Sequence, residues 1–513
     1  MSRMSFGRLG RGGAGAGGGD GPFRILLMGD FSGRQQRGLL EPDLAARTPQ
    51  QVDVDNYEHV LSAMGSEVRV PLAAAPGGAG GEVAIRITEL EDFHPDRLLK
   101  RLEVFQALRA LRSRLQDAGT FAAAAEEVRS WAGKRPAAAE PAAPPAAAAP
   151  ATPPPGEPGL LEGLLGKRPA HVQGAAGGAA KANVEALIRD VVAPHVVPQA
   201  DRDQPALVAK VEAAMSAQLR ALLHHPSFRA VERTWRAVHF LVTSLETGED
   251  LQLYAVDVTR QELAADLAAG DLLRSGLHKL LVEHAGATEG GQSWGAVATG
   301  FTFDKTVPEA ALLARVAVVA AAARAPLLAA AADRVVGCQS LARTPDPDDW
   351  TVEPGAAAAA AWAELRKMPQ ASYVALGLPR FLLRLPYGAD TEAVEPLAFE
   401  ELGAAADHES YLWGNPAFVL AQALGAGFTE HGWAMAPQLY RDVQNLPMHV
   451  VVADGRRRVK PCAEVYLSDR AGERIVQQGV TPLLSIQGRD AVRLRGIASL
   501  ADPACAINGR WNV

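Results

Sequence analysis

The chain has 513 residues, of which 48% are hydrophobic and 21% are charged, so it is long enough for two or three folded domains. Its formal net charge of −7 argues against a general polyanion binder, and nucleic acid is therefore not an expected partner. The cysteines Cys338, Cys462 and Cys505 stand far apart without a CxxC pair, which indicates neither a zinc knuckle nor a disulfide framework and fits a reducing cytoplasm.

The amino-terminal residues 1–21 are rich in glycine and lack an apolar core, which predicts a flexible tail and not a secretory signal. One stretch further on, residues 310–332, is apolar enough to suggest a membrane span. Arg315, Arg324 and Pro326 interrupt it, however, and we predict a buried alanine-rich helix there. The sequence therefore predicts a cytoplasmic protein without membrane insertion.

A first folded region is predicted over residues 22–118. The apolar run "FRILLM" reads as a strand that ends at the turn "GDFSGR", and two alternating runs, "EVRVPL" and "EVAIRI", read as a hairpin. A helix follows, with Pro95 in its first turn and apolar residues at steps of three and four. These elements form a small strand-hairpin-helix unit.

A linker is predicted over residues 119–181, because Lys134 to Pro158 is almost entirely Ala and Pro and cannot build a core. Within it, "PGLLEGLLGK" at 158–167 is an apolar island. We expect one face of a short helix to be formed by the leucines of this island, which are Leu160, Leu161, Leu164 and Leu165.

The second folded region, residues 182–513, alternates helices and strands. Two amphipathic helices before and after Pro226 precede the strand "LQLYAV", and Thr259 with Glu262 forms a capping box for the next helix. A later hairpin is predicted to turn at Asp454-Gly455. Strand-to-helix alternation favours a sheet covered by helices. The predicted fold class is α/β: the small unit is joined by the Ala/Pro linker to a larger mixed α/β domain.

No stretch carries a complete catalytic, cofactor or metal motif. "GDFSGR" lacks the Gly-Lys-Ser/Thr and GxGxxG contexts of phosphate loops, although a nucleotide-binding protein or enzyme using this turn stays as an alternative. His224, His225 and His239 lie near Glu232 without His-Glu-x-x-His spacing. The basic run Arg456 to Lys460 fits a solvated hairpin. We therefore expect no catalytic residue, no cofactor and no metal.

Residues 377–388, "GLPRFLLRLPYG", set two arginines among leucines between two prolines, and we call them the Arg-Leu segment. Alternating Arg and Leu side chains suit a site that is packed on one side and ion-paired on the other, as subunit contacts often are. An ordinary strand with a surface arginine is the simpler alternative. Support of the subunit's own core through a buried ion pair is a further one.

Several strings together resemble a known family. "LLHHPSFRAVERTWRAVHFLV", "ASYVALGLPRFLLRLPYG", "FEEL", "YLWGNPAFVLAQAL" and "KPCAEVYLSDRAGERIVQQGVTPL" resemble, in this order, the large contractile sheath subunit of type VI secretion systems, TssC or VipB. "PFRILLMGDFSGR" through "DFHPDRLLKRLEVFQALRALRSRL" resembles the small sheath subunit, TssB or VipA. The likeness covers residues 22–118 and about 182–500, so the chain resembles a fusion of the two.

The resemblance implies a structural protein and not an enzyme. In this family the two subunits pair and stack as rings around an inner tube, then shorten to propel it. The implied partners are further copies of the chain, an Hcp-like inner-tube protein, baseplate proteins and a ClpV-type disassembly ATPase, which would recognise the leucine island. Subunit contacts are expected in the Arg-Leu segment and in "YLWGNP", at Arg380, Arg384, Tyr387, Trp413 and Asn415.

The sequence also departs from the pattern of the large subunit. It has "TGFTFDK" where that pattern has a Gly-Asp-Tyr segment, and it stops at "ASLADPACAINGRWNV" without the usual long carboxyl-terminal region that interlocks neighbours. The alternative within the family is therefore an accessory sheath-like protein that caps, nucleates or docks on the apparatus.

Overall fold

A computed structural model of the chain describes residues 21–71, 82–132, 188, 192, 204–268, 270–283, 293–403, 407–438, 440–453 and 456–512. The predicted tail up to residue 20, the leucine island and the turn at Asp454-Gly455 lie outside the described residues. The chain divides into two compact units. One comprises Met1–Val70, Ala84–Arg97 and Leu223–Val513, and the other comprises Pro71–Val83 and Leu98–Leu222.

The strands are β1 (Phe23–Gly29), β2 (Gln50–Val52), β3 (Glu67–Pro71), β4 (Glu82–Arg86), β5 (Leu251–Asp257), β6 (Ala296–Phe303), β7 (Leu327–Ala331), β8 (Val374–Leu378), β9 (Phe381–Leu382), β10 (Trp413–Gly414), β11 (Tyr440–Val443), β12 (His449–Ala453), β13 (Arg456–Lys460), β14 (Val480–Pro482), β15 (Leu484–Ser485) and β16 (Val492–Arg495). The helices are α1 (Tyr57–Ala63), α2 (Pro95–Arg101), α3 (Glu103–Gln116), α4 (Phe121–Ala132), α5 (Gln204–Leu223), α6 (Pro226–Ser244), α7 (Arg260–Ala268), α8 (Val307–Ala323), α9 (Ala356–Lys367), α10 (Ala417–His431) and α11 (Asp469–Gln477). Short helical turns lie at Leu90–Phe93, Leu272–Arg274, Gly276–His278, Lys279–Glu283, Asp333–Val336, Pro347–Asp349, Pro369–Tyr373, His408–Ser410 and Gly432–Ala434.

The first unit is built on a seven-stranded sheet with the order β14-β8-β7-β6-β1-β5-β2. All neighbouring pairs are parallel except β2, which runs antiparallel to β5 at one edge. Strand β1 lies in the interior of this sheet, where Phe23 is opposite Leu251 and Ile25 is opposite Ala296. Its almost continuous apolar sequence is typical of a parallel strand that is covered on both faces.

Helices cover both faces of the sheet. Leu313 and Val316 of α8 share one buried cluster with Val297 of β6 and Leu327 of β7. On the other face α10 packs against β6, β7 and α6. Gly425 allows α10 to approach closely, since a Cβ at this position would lie 3.0 Å from Leu245 Cδ1 and 3.6 Å from Ile25 Cδ1. The predicted α/β class is confirmed.

The prediction of one helix over residues 310–332 is wrong in its second half. Helix α8 ends at Ala323, Arg324 adopts a left-handed conformation with φ of 52°, and the chain continues as the buried strand β7. Alanine and leucine fit both states, so composition alone did not reveal the switch. Among the described residues, no helix combines the length and the apolar character that a membrane crossing requires.

The described residues of the second unit are mainly helical, apart from the strand residues Pro71, Glu82 and Val83. Ion pairs join Arg112 to Glu212 at 2.7 Å and Arg114 to Glu127 at 2.8 Å. The side-chain nitrogen Nε2 of Gln204 donates to the backbone carbonyl of Leu115 at 2.7 Å. This bond fixes the start of α5 against the end of α3. The helices predicted before and after Pro226 are confirmed, whereas the single helix predicted from Pro95 is divided at Leu102 into α2 and α3.

The two compact units do not follow the division at residues 22–118 and 182–513. Strand β1 comes from the predicted amino-terminal region, yet it belongs to the same sheet and the same compact unit as β5 and β6. The predicted boundaries at 118 and 182 stay a prediction, because the structure describes only Ile188 and Val192 between Ala132 and Gln204.

Candidate subunit interface

The Arg-Leu segment begins at the end of β8, whose residues are all buried. It then forms β9, which pairs with β10 so that Leu382 is opposite Trp413 and Phe381 is opposite Gly414. Leu382, Trp413 and Tyr411 form a small buried cluster. The segment is therefore fixed by packing on its apolar side, as the alternation of Arg and Leu predicts.

Arg384 is buried in an ion-pair network inside the subunit. Its Nη1 donates to Glu401 Oε2 at 2.7 Å and its Nη2 donates to Glu401 Oε1 at 3.0 Å, which is a bidentate pair. Its Nε donates to Glu232 Oε1 at 2.7 Å. Glu232 lies on α6 and also accepts from Nε of Arg236 at 2.7 Å. The network therefore joins the segment to helix α6 and to the loop that carries Glu401.

The electrostatics keep this network charged despite its burial. Burial by itself would raise the pKa of Glu401, but Arg384 and its other hydrogen bonds lower that pKa to about 2. The pKa of Glu232 is lowered as well, because Arg384 and Arg236 outweigh the effect of burial. The same carboxylates keep the pKa of Arg384 well above its usual value against the effect of burial. Each charge thus depends on its partners.

Tyr387 belongs to the same network. Its hydroxyl accepts from Nη2 of Arg236 at 3.0 Å, its backbone amide donates to Glu401 Oε2 at 2.9 Å, and the Arg384 guanidinium lies 4.2 Å from its ring centroid. Burial is the largest cause that raises the pKa of Tyr387, to about 12. The buried ring of Tyr387 therefore packs directly against the ion-pair network.

Arg380 lies at the more exposed end of the segment. Its Nε donates to Glu464 Oε1 at 2.8 Å, and its Nη2 donates to Glu409 Oε1 at 2.9 Å. The Arg380 side chain is 36% exposed and that of Glu409 is 62% exposed, whereas Glu464 is buried. Solvent, or a neighbouring molecule, can therefore reach the ion pair of Arg380 and Glu409.

His408, Glu409 and Glu464 form a group of potential metal ligands whose ligand atoms lie within 4.8 Å of one another. His408 Nε2 is 3.0 Å from Glu464 Oε1. The guanidinium of Arg380 already supplies a positive charge between the two carboxylates. The donor set is therefore explained as an ion-pair network, and it does not change the expectation that the chain holds no metal.

Trp413 and Asn415 form hydrogen bonds that fix nearby backbone segments of the same chain. The indole nitrogen of Trp413 donates to the carbonyl of His408 at 2.9 Å. Asn415 donates through Nδ2 to the carbonyl of Phe301 in β6 and accepts through Oδ1 from the amide of Ala417, both at 2.9 Å. Asn415 thus connects the first residue of α10 to the central sheet.

The structure brings the five predicted interface residues into one region, and four of them, Arg384, Tyr387, Trp413 and Asn415, are buried within the chain. For Arg384 this matches the alternative of a buried pair that supports the core. Their participation in subunit contacts stays a prediction. The acidic partners Glu232, Glu401 and Glu464 were not predicted from the sequence. Only Glu464 carried a signal, as a single acidic residue in the string "CAEVYL", whereas Glu232 is followed by Arg233 and Glu401 is preceded by Glu400.

The histidines near Glu232 do not converge. Nε2 of His224 lies 3.6 Å from Glu401 Oε1, whereas His225 caps α6 by accepting from the amide of Ser227 at 3.3 Å. The ring of His239 packs edge-on against Tyr57, with centroids 5.4 Å apart. The preference for a structural role of these residues over a shared metal site agrees with this geometry.

The turn "GDFSGR" directs its amides to the chain's own carboxylates. The amides of Phe31 and Ser32 donate to Asp257 Oδ1 at 2.7 and 3.2 Å, and the amide of Arg34 donates to Asp30 Oδ1 at 2.9 Å. The Arg34 side chain forms a bidentate pair with Glu262 at 2.8 and 2.7 Å. Because these carboxylates would repel a phosphate, the geometry favours a structural turn over a nucleotide site.

Asp30, in this turn, should make the free energy of unfolding depend on pH. Burial, followed by the nearby Asp257, raises the pKa of Asp30 to about 6. Because the folded state binds this proton more tightly, the contribution to stability is present at low pH and is lost as pH rises through about 6. We expect Asp30→Asn to be more stable than wild type at pH 7 by about 2 kcal/mol and equal to it near pH 4.

Urea unfolding of both proteins at the two pH values measures this difference. Asp55→Asn, at an exposed position, controls for the general effect of removing one negative charge. An Asp30→Asn variant that is less stable than wild type at pH 7 would contradict the assignment of a half-buried carboxylate with a raised pKa.

Comparisons with known proteins identify two regions. Residues 205–501, more than half of the chain, match the family model VipB, described as EvpB/VC_A0108, tail sheath N-terminal domain. Residues 20–131 match a second model, described as type VI secretion system, VipA, VC_A0107 or Hcp2. The chain is also similar to the type VI secretion system sheath protein TssC1 of Pseudomonas aeruginosa, with 33% identity over 305 residues. This alignment covers 58% of the chain and 61% of that protein.

Proposed function

Since the chain belongs to the tail sheath family represented by VipB, and its amino-terminal region matches VipA, we propose that it is a structural component of a type VI secretion sheath. It would assemble around an inner tube and shorten to propel that tube. The chain spans about three fifths of the length of the curated relative that it matches, 61% of TssC1. That this chain performs the function of the whole relative is therefore part of the proposal.

The observation that carries the proposal is the position of β1. This strand comes from the VipA-type region, and it lies between β5 and β6 of the VipB-type region in one sheet. A building block with the two regions in a fixed one-to-one ratio follows from their fusion, since a covalent tether sets both their ratio and their effective concentration.

The Arg-Leu segment contributes to this proposal in two ways. Arg384 and Tyr387, which are buried, would hold the shape of the segment. Arg380 with Glu409, which are exposed in part, would face a neighbouring subunit. Charges at the rim of an interface govern association more than the stability of the subunit. Trp413 and Asn415 would act through the position of α10.

The further partners are an Hcp-like inner-tube protein, baseplate proteins and a ClpV-type disassembly ATPase. The reason to include the last is the leucine island at 158–167, whose leucines lie outside the described residues. An amphipathic helix with leucines on one face is a common recognition element for a hydrophobic groove.

Negative-stain imaging of the purified full chain, alone and with an Hcp-like protein, tests the proposed function. We expect rings or tubes, with tubes favoured by the inner-tube protein. Isolated rings that never elongate would favour the accessory role of a cap or nucleus. Monomers alone in both samples would contradict a sheath function.

A further inference from the structure

Two exposed apolar surfaces lie on different parts of the first compact unit. The first, which we call the leucine patch, follows β1 and flanks the edge strand β2. Leu39 and Leu40 are 53% and 51% exposed there. The two leucines border an open cleft of about 660 Å³ at the carboxyl end of β5. Among the charged residues that line this cleft, Glu41 and Asp43 are exposed, whereas Arg34, Arg37 and Arg47 are buried or half-buried.

The second surface is one face of the two-stranded ribbon formed by β12 and β13, which we call the valine ribbon. Val450 and Val459 are directly opposite each other and are 42% and 40% exposed. The adjacent residues His449 and Lys460 point to the other face. His449 Nδ1 is 3.0 Å from the Tyr411 hydroxyl, and Lys460 Nζ lies 5.5 Å from the Tyr411 ring centroid.

The charge of the valine ribbon is opposite to that of the leucine patch. Arg457 shares the outer face with Val459, because alternate residues of a strand point to the same side, and it is exposed. Arg458 is exposed as well but lies on the other face with Lys460. Each surface therefore offers an apolar centre with charge around it, and the two charges have opposite signs. Apolar centres with charged rims are typical of protein–protein contacts.

We infer that the leucine patch of one copy docks on the valine ribbon of a second copy. The occupant is a copy of the same chain because the complementary partner surface is present on that chain, in both apolar character and charge. The inference rests on the proposed function, since a contact between two different surfaces of one chain leaves a free surface at each end. Such a heterologous contact generates rings or helical filaments and not a closed twofold dimer.

The test uses two full-length variants that each lose one surface. Leu39→Asp with Leu40→Asp removes the leucine patch, and Val450→Asp with Val459→Asp removes the valine ribbon. Each variant alone should lose its self-association in sedimentation velocity. An equimolar mixture should form a complex of doubled mass, because one variant retains an intact ribbon and the other retains an intact patch. High salt should weaken this complex, since exposed charges are screened.

Val307→Asp is the matched control, since Val307 is exposed but lies outside both surfaces, and it should assemble like wild type. Circular dichroism melting checks that all variants are folded. A mixture that stays monomeric, or either variant assembling like wild type, would overturn the inference. If the mixture forms the complex while wild type makes no rings or tubes, the docking stands and the sheath function fails. If wild type forms tubes while the mixture stays monomeric, the sheath function stands and the docking fails.

Discussion

Replacing Arg384 with Met should lower the free energy of unfolding by about 3–5 kcal/mol, because it leaves Glu232 and Glu401 charged and without their main partner in a buried site. Removal of one member of a buried ion pair costs more than the pair contributes, since the remaining charge keeps its desolvation penalty. Urea unfolding at pH 7, followed by circular dichroism, measures the loss.

The pH dependence of this loss identifies its cause. In wild type the pKa of Glu401 is lowered to about 2, so its stabilising contribution is present at neutral pH and is lost as pH falls toward 2. Without Arg384, burial raises the pKa of the glutamates and favours their neutral forms. The difference between wild type and Arg384→Met should therefore shrink from pH 7 to pH 4.

Arg470→Met is the matched control for the Arg384 variant. Arg470 also pairs with two carboxylates, Asp346 and Asp348, at 2.7 Å each, but its side chain is 59% exposed. Exposed pairs contribute about 0–1 kcal/mol, so this variant should unfold almost like wild type. Equal losses for the two variants would show that the burial of Arg384 has no energetic role.

A chain of residues 180–513 should be insoluble when it is expressed alone, and soluble when residues 1–130 are co-expressed. The reason is that β1 lies inside the sheet, and its residues Ile25, Leu26 and Leu27 are fully buried. Removing β1 opens apolar surface and exposes the edges of β5 and β6, which are then available for aggregation. The soluble fraction and co-purification on a tag of the larger fragment measure both effects.

Two variants of the smaller fragment sharpen this experiment. Leu26→Asp places a charge in the buried cluster and should abolish the rescue, whereas Glu58→Lys changes an exposed residue of α1 and should preserve it. A larger fragment that is soluble and cooperatively folded without residues 1–130 would show that β1 is dispensable. The pairing of β1 with β5 and β6 would then not be required for the stability of the domain.

Local patterns predicted most of the elements but not their neighbours. The strand "FRILLM" and the helices on both sides of Pro226 follow from apolar periodicity, and the capping box at Thr259 follows from its spacing. The insertion of β1 between β5 and β6 had no local signal, because the apolar pattern within a strand does not identify the strands that pair with it. Pairing of strands far apart in sequence depends on the whole fold.

The candidate site shows the same limit. Alternating arginines and leucines in the Arg-Leu segment predicted that its arginines are paired, and both Arg380 and Arg384 are. Their partners were not predictable, since Glu232 lies on a helix of distant sequence and Glu401 follows a loop. The burial of Arg384 depends on these partners, so residue type alone did not distinguish an inward arginine from an outward one.

The interior position of β1 also affects the synthesis of the protein. The amide of Phe31, just after β1, bonds to Asp257, 226 positions further along the chain. At a translation rate of about 5–20 residues per second, roughly 10–45 seconds pass between the synthesis of these two residues. During that interval the apolar segment from Phe23 to Gly29 has left the ribosome before its neighbouring strands exist. A nascent chain with such an early unpaired strand is a natural client for a ribosome-associated chaperone.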